Sequence, residues 1–142
     1  MNAKQLMETN DKMNRLMRRK FESHFINSKL TGLQALTLDY INANFLDHDV
    51  CQKEIERYLE IRGSSVSSLI DRLERDGYIK RDYCDNDSRY RRLIPTEQGK
   101  IIQKDISARI EHYANSLFTD IDEDELKTFE IVMLKILKNA AY

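Results

Sequence analysis

The sequence predicts a mainly α fold interrupted by one short two-stranded β-hairpin, on three observations. Proline occurs once and glycine four times in 142 residues, so little in the chain breaks a helix. Apolar residues recur every three or four positions along most of its length, which is the helical period. Between residues 78 and 94 that period gives way to alternation on either side of a cluster of Asp, Asn and Ser, the pattern of a hairpin.

Residues 4–26 place Leu6, Met13, Leu16, Met17, His24 and Phe25 at roughly helical spacing beneath a basic outer face. Thr31 followed by Gln34 reads as a capping box, opening a second helix to about residue 45 with Leu33, Leu36, Tyr40 and Ile41 on its inner side. Asp47, His48 and Asp49 form a polar break, read as a solvated loop. A short third helix over 51–60 turns Ile55 and Leu59 inward. Ile61, Arg62 and Gly63 then make a tight connection to a fourth helix, with Ser64 or Ser65 as its N-cap and Gly77 just past its end. Val66, Leu69, Ile70 and Leu73 form its inner stripe. At 100° per residue Ser64, Ser68, Asp71 and Arg75 lie opposite, with Ser65 and Arg72 on a flank.

Residues 78–83 alternate as a strand, 85–88 make the turn, and 90–94 return until Pro95 stops the strand. Thr96 caps a long fifth helix carrying Ile102, Ile106, Ile110, Tyr113 and Leu117. Asp122 with Glu125 opens a sixth, followed by Leu126, Phe129, Met133, Ile136 and Leu137.

Length and charge bound the function. A chain of this length is one domain that can bury a core without staples. No run of about 18 apolar residues exists to cross a membrane, and the N-terminus has no apolar signal core. Cys51 and Cys84 form no metal or disulfide pattern, and with no thiolate stabiliser they read as inert, so a reduced, cytoplasmic chain is expected. His24 and His112 read as structural. No glycine-rich phosphate loop, catalytic triad or metal-spaced cluster appears, so neither an enzyme nor a cofactor is expected. The net charge is −1, but it is unevenly spread: residues 1–30 carry seven Lys/Arg against three Asp/Glu, residues 62–100 nine against seven, and residues 120–142 three against six. A binding face can be basic while the whole chain is not.

Helix, tight turn, helix and hairpin in this order make a helix-turn-helix with a wing. A fourth helix of about 14 residues suits the major groove of duplex DNA. Small residues at its start, Ser64, Ser65, Ser67 and Ser68, let the backbone approach base edges and phosphates, and their hydroxyls donate or accept. Arg72 and Arg75 either contact DNA or pair with Asp71 or Asp76 on the helix surface. Asp71 either orients an arginine or accepts from a cytosine amine. Arg89, just past the hairpin turn, can enter the adjacent minor groove, with Asp87 holding it in place. Strand parity lets only one of Arg91 and Arg92 share its face, and Arg91 is the second phosphate contact by that parity.

The segment SSVSSLIDRLERDGYIKRDYCDNDSRYRRLIPTEQGK resembles the centre of the MarR-type winged-helix transcriptional regulators. The family pattern of Leu-Glu-x-x-Gly, then aromatic or aliphatic-Ile-x-Arg, Asp-x-Arg in the wing, and Leu-Thr-x-x-Gly meets Leu73-Glu74, Gly77, Tyr78-Ile79, Arg81, Asp87-Ser88-Arg89, Thr96 and Gly99. Pro95 stands where the family prefers Leu. Cys51 stands where Thr or Ser often caps the third helix, a task expected of Asp49 instead. The resemblance implies a homodimer built by helices at about 1–30 and 100–142, below which lobes at about 31–99 bind double-stranded DNA at a pseudo-palindromic operator. Family members bind small effectors between lobes and dimer helices, so a small-molecule effector is implied as well. Two other readings stand beside this one. The near-neutral charge and Asp71, Asp76 and Asp82 near the contact face suit a protein-interaction module, and the same fold can serve as a metal or redox sensor.

Overall fold

The computed structural model describes residues 1–84 and 87–141, without the side chains of residues 84–90. Six helices and one hairpin follow in the order α1 (Ala3–Ser23), α2 (Gly32–Asn44), α3 (Gln52–Leu59), α4 (Gly63–Arg75), β1 (Ile79–Cys84), β2 (Asp87–Pro95), α5 (Glu97–Leu117) and α6 (Glu123–Ala140). This is the mainly α, winged helix-turn-helix arrangement that the sequence predicts.

Local chemistry starts and stops most helices. Thr31 and Gln34 form the expected capping box, each side chain bonding the other's backbone. Asp122 and Glu125 do the same for α6, and Asn2 with Gln5 for α1. After α4 the chain closes a left-handed cap. Gly77 sits at φ 83°, its N–H donates to the Glu74 carbonyl at 3.0 Å, and the Tyr78 N–H donates to Leu73 at 2.9 Å. Such a φ favours a residue without Cβ.

Thr96 welds the lobe to α5. Its hydroxyl donates to the Gly77 carbonyl at 2.6 Å and accepts from the Gly99 N–H at 3.0 Å, while its own N–H donates to Tyr78 at 3.0 Å. A Cβ on Gly99 would lie 2.0 Å from the Tyr78 carbonyl oxygen, so only glycine fits that approach. The last two matches of the sequence pattern, Thr96 and Gly99, are thus a packing joint.

The core sits between α2, α3, α4 and the base of the hairpin. Leu38, Ile41, Ile55, Val66, Ile70 and Leu73 are all fully buried in it. The inner face of α2 differs from the expected one. Leu33 is 39% exposed, whereas Gln34, Ala35, Thr37 and Leu38 are buried with Ile41. Helix α2 is packed against α4, α5 and β2, so apolar periodicity does not single out one face, and the buried Gln34 and Thr37 are satisfied by the Thr31 cap and the Leu33 carbonyl.

The hairpin is antiparallel, pairing Ile79 with Pro95 and Tyr83 with Arg91, and irregular between Tyr83 and Cys84. It begins one residue later than expected, because Tyr78 is used by the α4 cap. Its return strand is longer than expected, running from Asp87 to Pro95. Pro95 ends that strand inside the pairing at an edge, where a missing N–H costs no ladder bond. The Leu93 N–H donates to the Val50 carbonyl at 2.7 Å, tying the wing base to the α2–α3 loop.

The terminal helices are placed differently. Only the last turns of α1 dock, with Phe21 edge-on to Tyr113 at 5.0 Å and the Tyr113 hydroxyl donating to Met17 at 3.0 Å. Helix α6 has no buried residue.

Candidate nucleic-acid interface

Helix α4 starts earlier than the serines suggested. Its N-cap is Arg62, and Ser64 and Ser65 lie inside the first turn. The Arg62 carbonyl accepts from the N–H groups of Ser65 and Val66 at 3.0 and 3.1 Å, and no side chain caps the helix. The extended Arg62 backbone (φ −63°, ψ 147°) and Gly63 allow this early start. The serine hydroxyls are thereby released from capping, and the helix start keeps unsatisfied donors that favour an anion.

The structure places Ser64, Ser65 and Ser68 on the exposed side of α4, with the Ser68 hydroxyl donating back to the Ser64 carbonyl at 3.2 Å. Ser67 is turned aside. It is half-buried, and its oxygen accepts from Gln52 Nε2 on α3 at 2.8 Å. Beneath them Val66, Ile70 and Leu73 anchor the helix. The third helix likewise starts at Cys51 without a side-chain cap, so Asp49 does not take the capping role expected of it.

Apart from the exposed Asp76, which forms no ion pair among the described residues, the acids near this face are engaged within the chain. Asp71 accepts from Arg81 Nη2 at 2.5 Å, and Glu74 accepts from Arg81 Nη1 at 3.3 Å and from the Arg81 N–H at 3.2 Å. Of the two roles open to Asp71, orienting an arginine is the one observed. Asp82 accepts from Arg92 Nη2 at 3.1 Å, and Asp49 from Arg92 Nη1 at 3.4 Å. The Arg92 bond, helped by the Tyr83 N–H, holds the Asp82 carboxyl below its ordinary value, and Asp82 and Asp49 in turn raise that of Arg92.

Several arginines of the lobe remain uncommitted to acids among the described residues, three of them on helix α4 and the wing. Among the described residues Arg72, Arg75 and Arg91 form no ion pair with a carboxylate, and all three are exposed. The surface pairing of Arg72 or Arg75 with Asp71 or Asp76 is therefore not seen. Arg91 lies over the Tyr83 ring at 5.2 Å and donates to its hydroxyl at 3.3 Å, which steadies it on the outer side of the wing. Strand parity thus separates Arg91, left outside, from Arg92, consumed by acids. The side chains of Asp87 and Arg89 lie outside the described residues, as does that of Cys84; the backbone places Asp87 and Arg89 at the start of β2.

A second feature went unread in the sequence. Asp47-His48-Asp49 is not a freely solvated loop: His48 Nε2 lies 2.6 Å from Glu54 Oε2 and Nδ1 lies 3.2 Å from Asp47 Oδ2. Glu54 is far enough along the chain that spacing gave no hint of the contact. His24 and His112 meet with ring centres 5.7 Å apart beside Tyr113. Among the described residues no group of three His, Cys, Asp or Glu could hold a metal ion. Among the described residues no helix is long and apolar enough to cross a membrane. An open cleft of about 640 Å³ separates α1 from the lobe, lined in part by Arg18, Arg19, Lys29 and Arg72 with Phe25 and Leu30.

This geometry has known counterparts. Staphylococcus aureus MepR, solved as a DNA complex, superposes with a TM-score of 0.82 at 22% identity over 98% of both chains. The transcriptional regulator SlyA does so with a TM-score of 0.81 at 21% identity, over 94% of this chain and 92% of its own. At such identities the likeness is one of fold. The HTH-type transcriptional regulator PapX of Escherichia coli is 27% identical over 90 residues, 63% of this chain and 55% of its own. BilQ, an HTH-type transcriptional regulator of Clostridioides difficile strain CD3, is 29% identical over 99 residues, 70% of this chain and 65% of its own. The matches thus span between about half and two thirds of these relatives' length. Residues 28–89, from the start of the lobe to the wing, match the sequence pattern of the MarR family. Fold, motif and relatives agree: the winged-helix lobe, over residues 28–89, is similar to that of the MarR family of transcriptional regulators.

Proposed function

We propose that the chain is a sequence-specific regulator of transcription that binds double-stranded DNA as a homodimer and acts as a repressor on a pseudo-palindromic operator. Helix α4 enters the major groove and the wing enters the adjacent minor groove, one half-site for each lobe. The observation that carries this reading is the outer face of α4, where Ser64, Ser65 and Ser68 stand exposed beside the uncommitted Arg72 and Arg75. Ser64, Ser65 and the bare helix start approach phosphate or base edges, Ser67 supports them through Gln52, and Arg72 and Arg75 take phosphate or guanine. On the wing Arg91 meets phosphate, and Arg89, oriented by Asp87, reads the minor groove.

The internal ion pairs answer the objection from charge for Asp71 and Asp82, leaving Asp76 as the bare acid. Asp71 and Asp82 would repel phosphate if bare, but each is bound to an arginine of its own lobe. A protein-interaction module has no need of a basic remainder on the same face. The cleft between α1 and the lobe suits a small-molecule effector that is anionic and partly apolar, since arginines and a lysine line it together with Phe25 and Leu30.

The test is selection of bound sites from random duplex DNA with the purified protein, followed by a salt titration on the recovered site. A two-fold symmetric motif is expected, and log affinity should fall with log salt with a slope of about −0.9 per phosphate neutralised. Recovery of no motif, or affinity indifferent to salt, overturns the reading.

A further inference from the structure

The corner between α2 and α3 carries an arrangement that DNA binding does not require. His48 presents both ring nitrogens to carboxylates, Nδ1 to Asp47 at 3.2 Å and Nε2 to Glu54 at 2.6 Å. A neutral imidazole has one N–H, so it can donate to one of these acids while its bare nitrogen faces the other. Only the imidazolium satisfies both. The Tyr40 hydroxyl donates to the same Glu54 oxygen at 2.5 Å.

The neighbours keep this cluster in a defined state. Burial disfavours ionised Glu54, but the bonds from Tyr40 and His48 outweigh it and hold the carboxyl below its ordinary value. The bond to Glu54 pushes the Tyr40 phenol up to about 12, so it remains a donor through the neutral range. Contact with Glu54, and then with Asp47, raises His48 above the usual histidine value. The other charged groups facing the cluster are Arg57 from α3, which acts on Glu54 and Tyr40, together with Asp49 of the same loop and Arg92 of β2. Of the polar set, His48 is the group that titrates near neutral pH.

The same loop holds the wing. A cleft of about 250 Å³ is lined by His48, Asp49 and Val50 on one side and by Arg92 and Leu93 on the other. Across it the Leu93 N–H donates to Val50 at 2.7 Å and Arg92 donates to Asp49 at 3.4 Å. We propose that the proton on His48 is a latch: it clamps Asp47 to Glu54, fixes the α2–α3 corner, and through Val50 and Asp49 fixes the base of the wing.

The direction follows from the raised value of His48. The clamp is complete below the ordinary histidine value of about 6.5 and is released as pH rises through the higher value in the folded chain. Release frees the loop residues that bond Leu93 and Arg92.

The test uses NMR of the full chain without DNA, so its outcome is separate from that of the operator experiment. The His48 ring signals should titrate above about 6.5. The backbone amides of Val50, Arg92 and Leu93 should report the same midpoint. In Glu54→Gln the His48 midpoint should fall toward the ordinary histidine value, because the contacting carboxylate is lost. In His48→Gln, which keeps a donor at an exposed position, the amide steps should vanish while the spectrum remains that of the folded lobe. A His48 midpoint at or below the ordinary value overturns the latch, as do wing amides that show no step or keep their step in His48→Gln.

Discussion

Helices α4 and α6 are both amphipathic, and they place their apolar residues in opposite ways. In α4 the inner stripe of Val66, Ile70 and Leu73 is fully buried within its own lobe, leaving a polar outer face. In α6 no residue is buried, and Phe129, Met133 and Leu137 are 40%, 40% and 65% exposed. Much of α1 behaves like α6, with Leu6, Met7 and Leu16 at least half exposed. The lobe therefore buries its apolar stripe in a core that Phe21 of α1 and Ile106 of α5 join, while α6 and the outer turns of α1 present an apolar surface that one chain does not cover. Contiguous exposed apolar surface of this kind marks an interface, and the homodimer proposed above supplies the partner. The contrast extends to charge. The lobe pairs Asp71, Glu74, Asp49 and Asp82 internally, whereas residues 1–30 are net basic and residues 120–142 net acidic, so a second copy can complement them.

The sharpest way to break this contrast is at α6. The double substitution Phe129→Asp and Leu137→Asp should weaken self-association by more than about a thousandfold, at about 2 kcal/mol for each buried side chain. Sedimentation should show monomers whose lobe retains its near-native spectrum. An undiminished dimer would place the interface elsewhere. The matching change inside the lobe, Ile70→Ala, should cost about 2–5 kcal/mol in urea unfolding, because it opens a cavity in a closed core. A cost under about 0.5 kcal/mol would mean that Ile70 does not sit in a close-packed core.

Two smaller effects sharpen the picture on the wing. Arg89→Ala and Arg91→Ala should each weaken binding to the selected operator by about tenfold or more, with stability unchanged. Arg92→Ala should instead lower stability, since its guanidinium joins Asp82 to Asp49. Thermal melts and gel shifts on the three variants separate the roles. The smallest effect concerns acid. Asp82 has a lowered value in the folded chain, so its pairing is present above the ordinary carboxylate value of about 3.9 and is lost as pH falls through the lower folded one. Asp82→Asn should therefore lose less melting temperature between pH 6 and pH 3 than the unmodified chain does.

Features confined to a few consecutive residues were legible beforehand. Thr31 with Gln34, Asp122 with Glu125, Thr96 and Gly77 were assigned from spacing, and each makes the bond expected of it, because a cap joins residues two to five apart. The exceptions are instructive. Ser64 and Ser65 are good caps by type, yet Arg62 takes the position, since the turn that follows α3 fixes where the backbone leaves its extended path. On the outer face Ser64, Ser68, Asp71 and Arg75 were legible from the 100° rule, with Arg72 on the flank. The turning of Ser67 toward Gln52 was not, because it depends on where α3 lies.

By itself the sequence determined the order and type of the elements, the N-caps of α2, α5 and α6, the polar outer face of α4 and the family pattern from Leu73 to Gly99. These rest on short-range geometry, which periodicity and residue type encode directly. Tertiary structure alone decided which charges are left over. Arg81 was drawn to Asp71 and Glu74, Arg92 to Asp82 and Asp49, and His48 to Glu54, while Arg72, Arg75 and Arg91 kept no carboxylate among the described residues. A charge pair forms where packing brings two side chains within a few ångströms, and Asp49 and Arg92, 43 residues apart, share no local signal that would announce it.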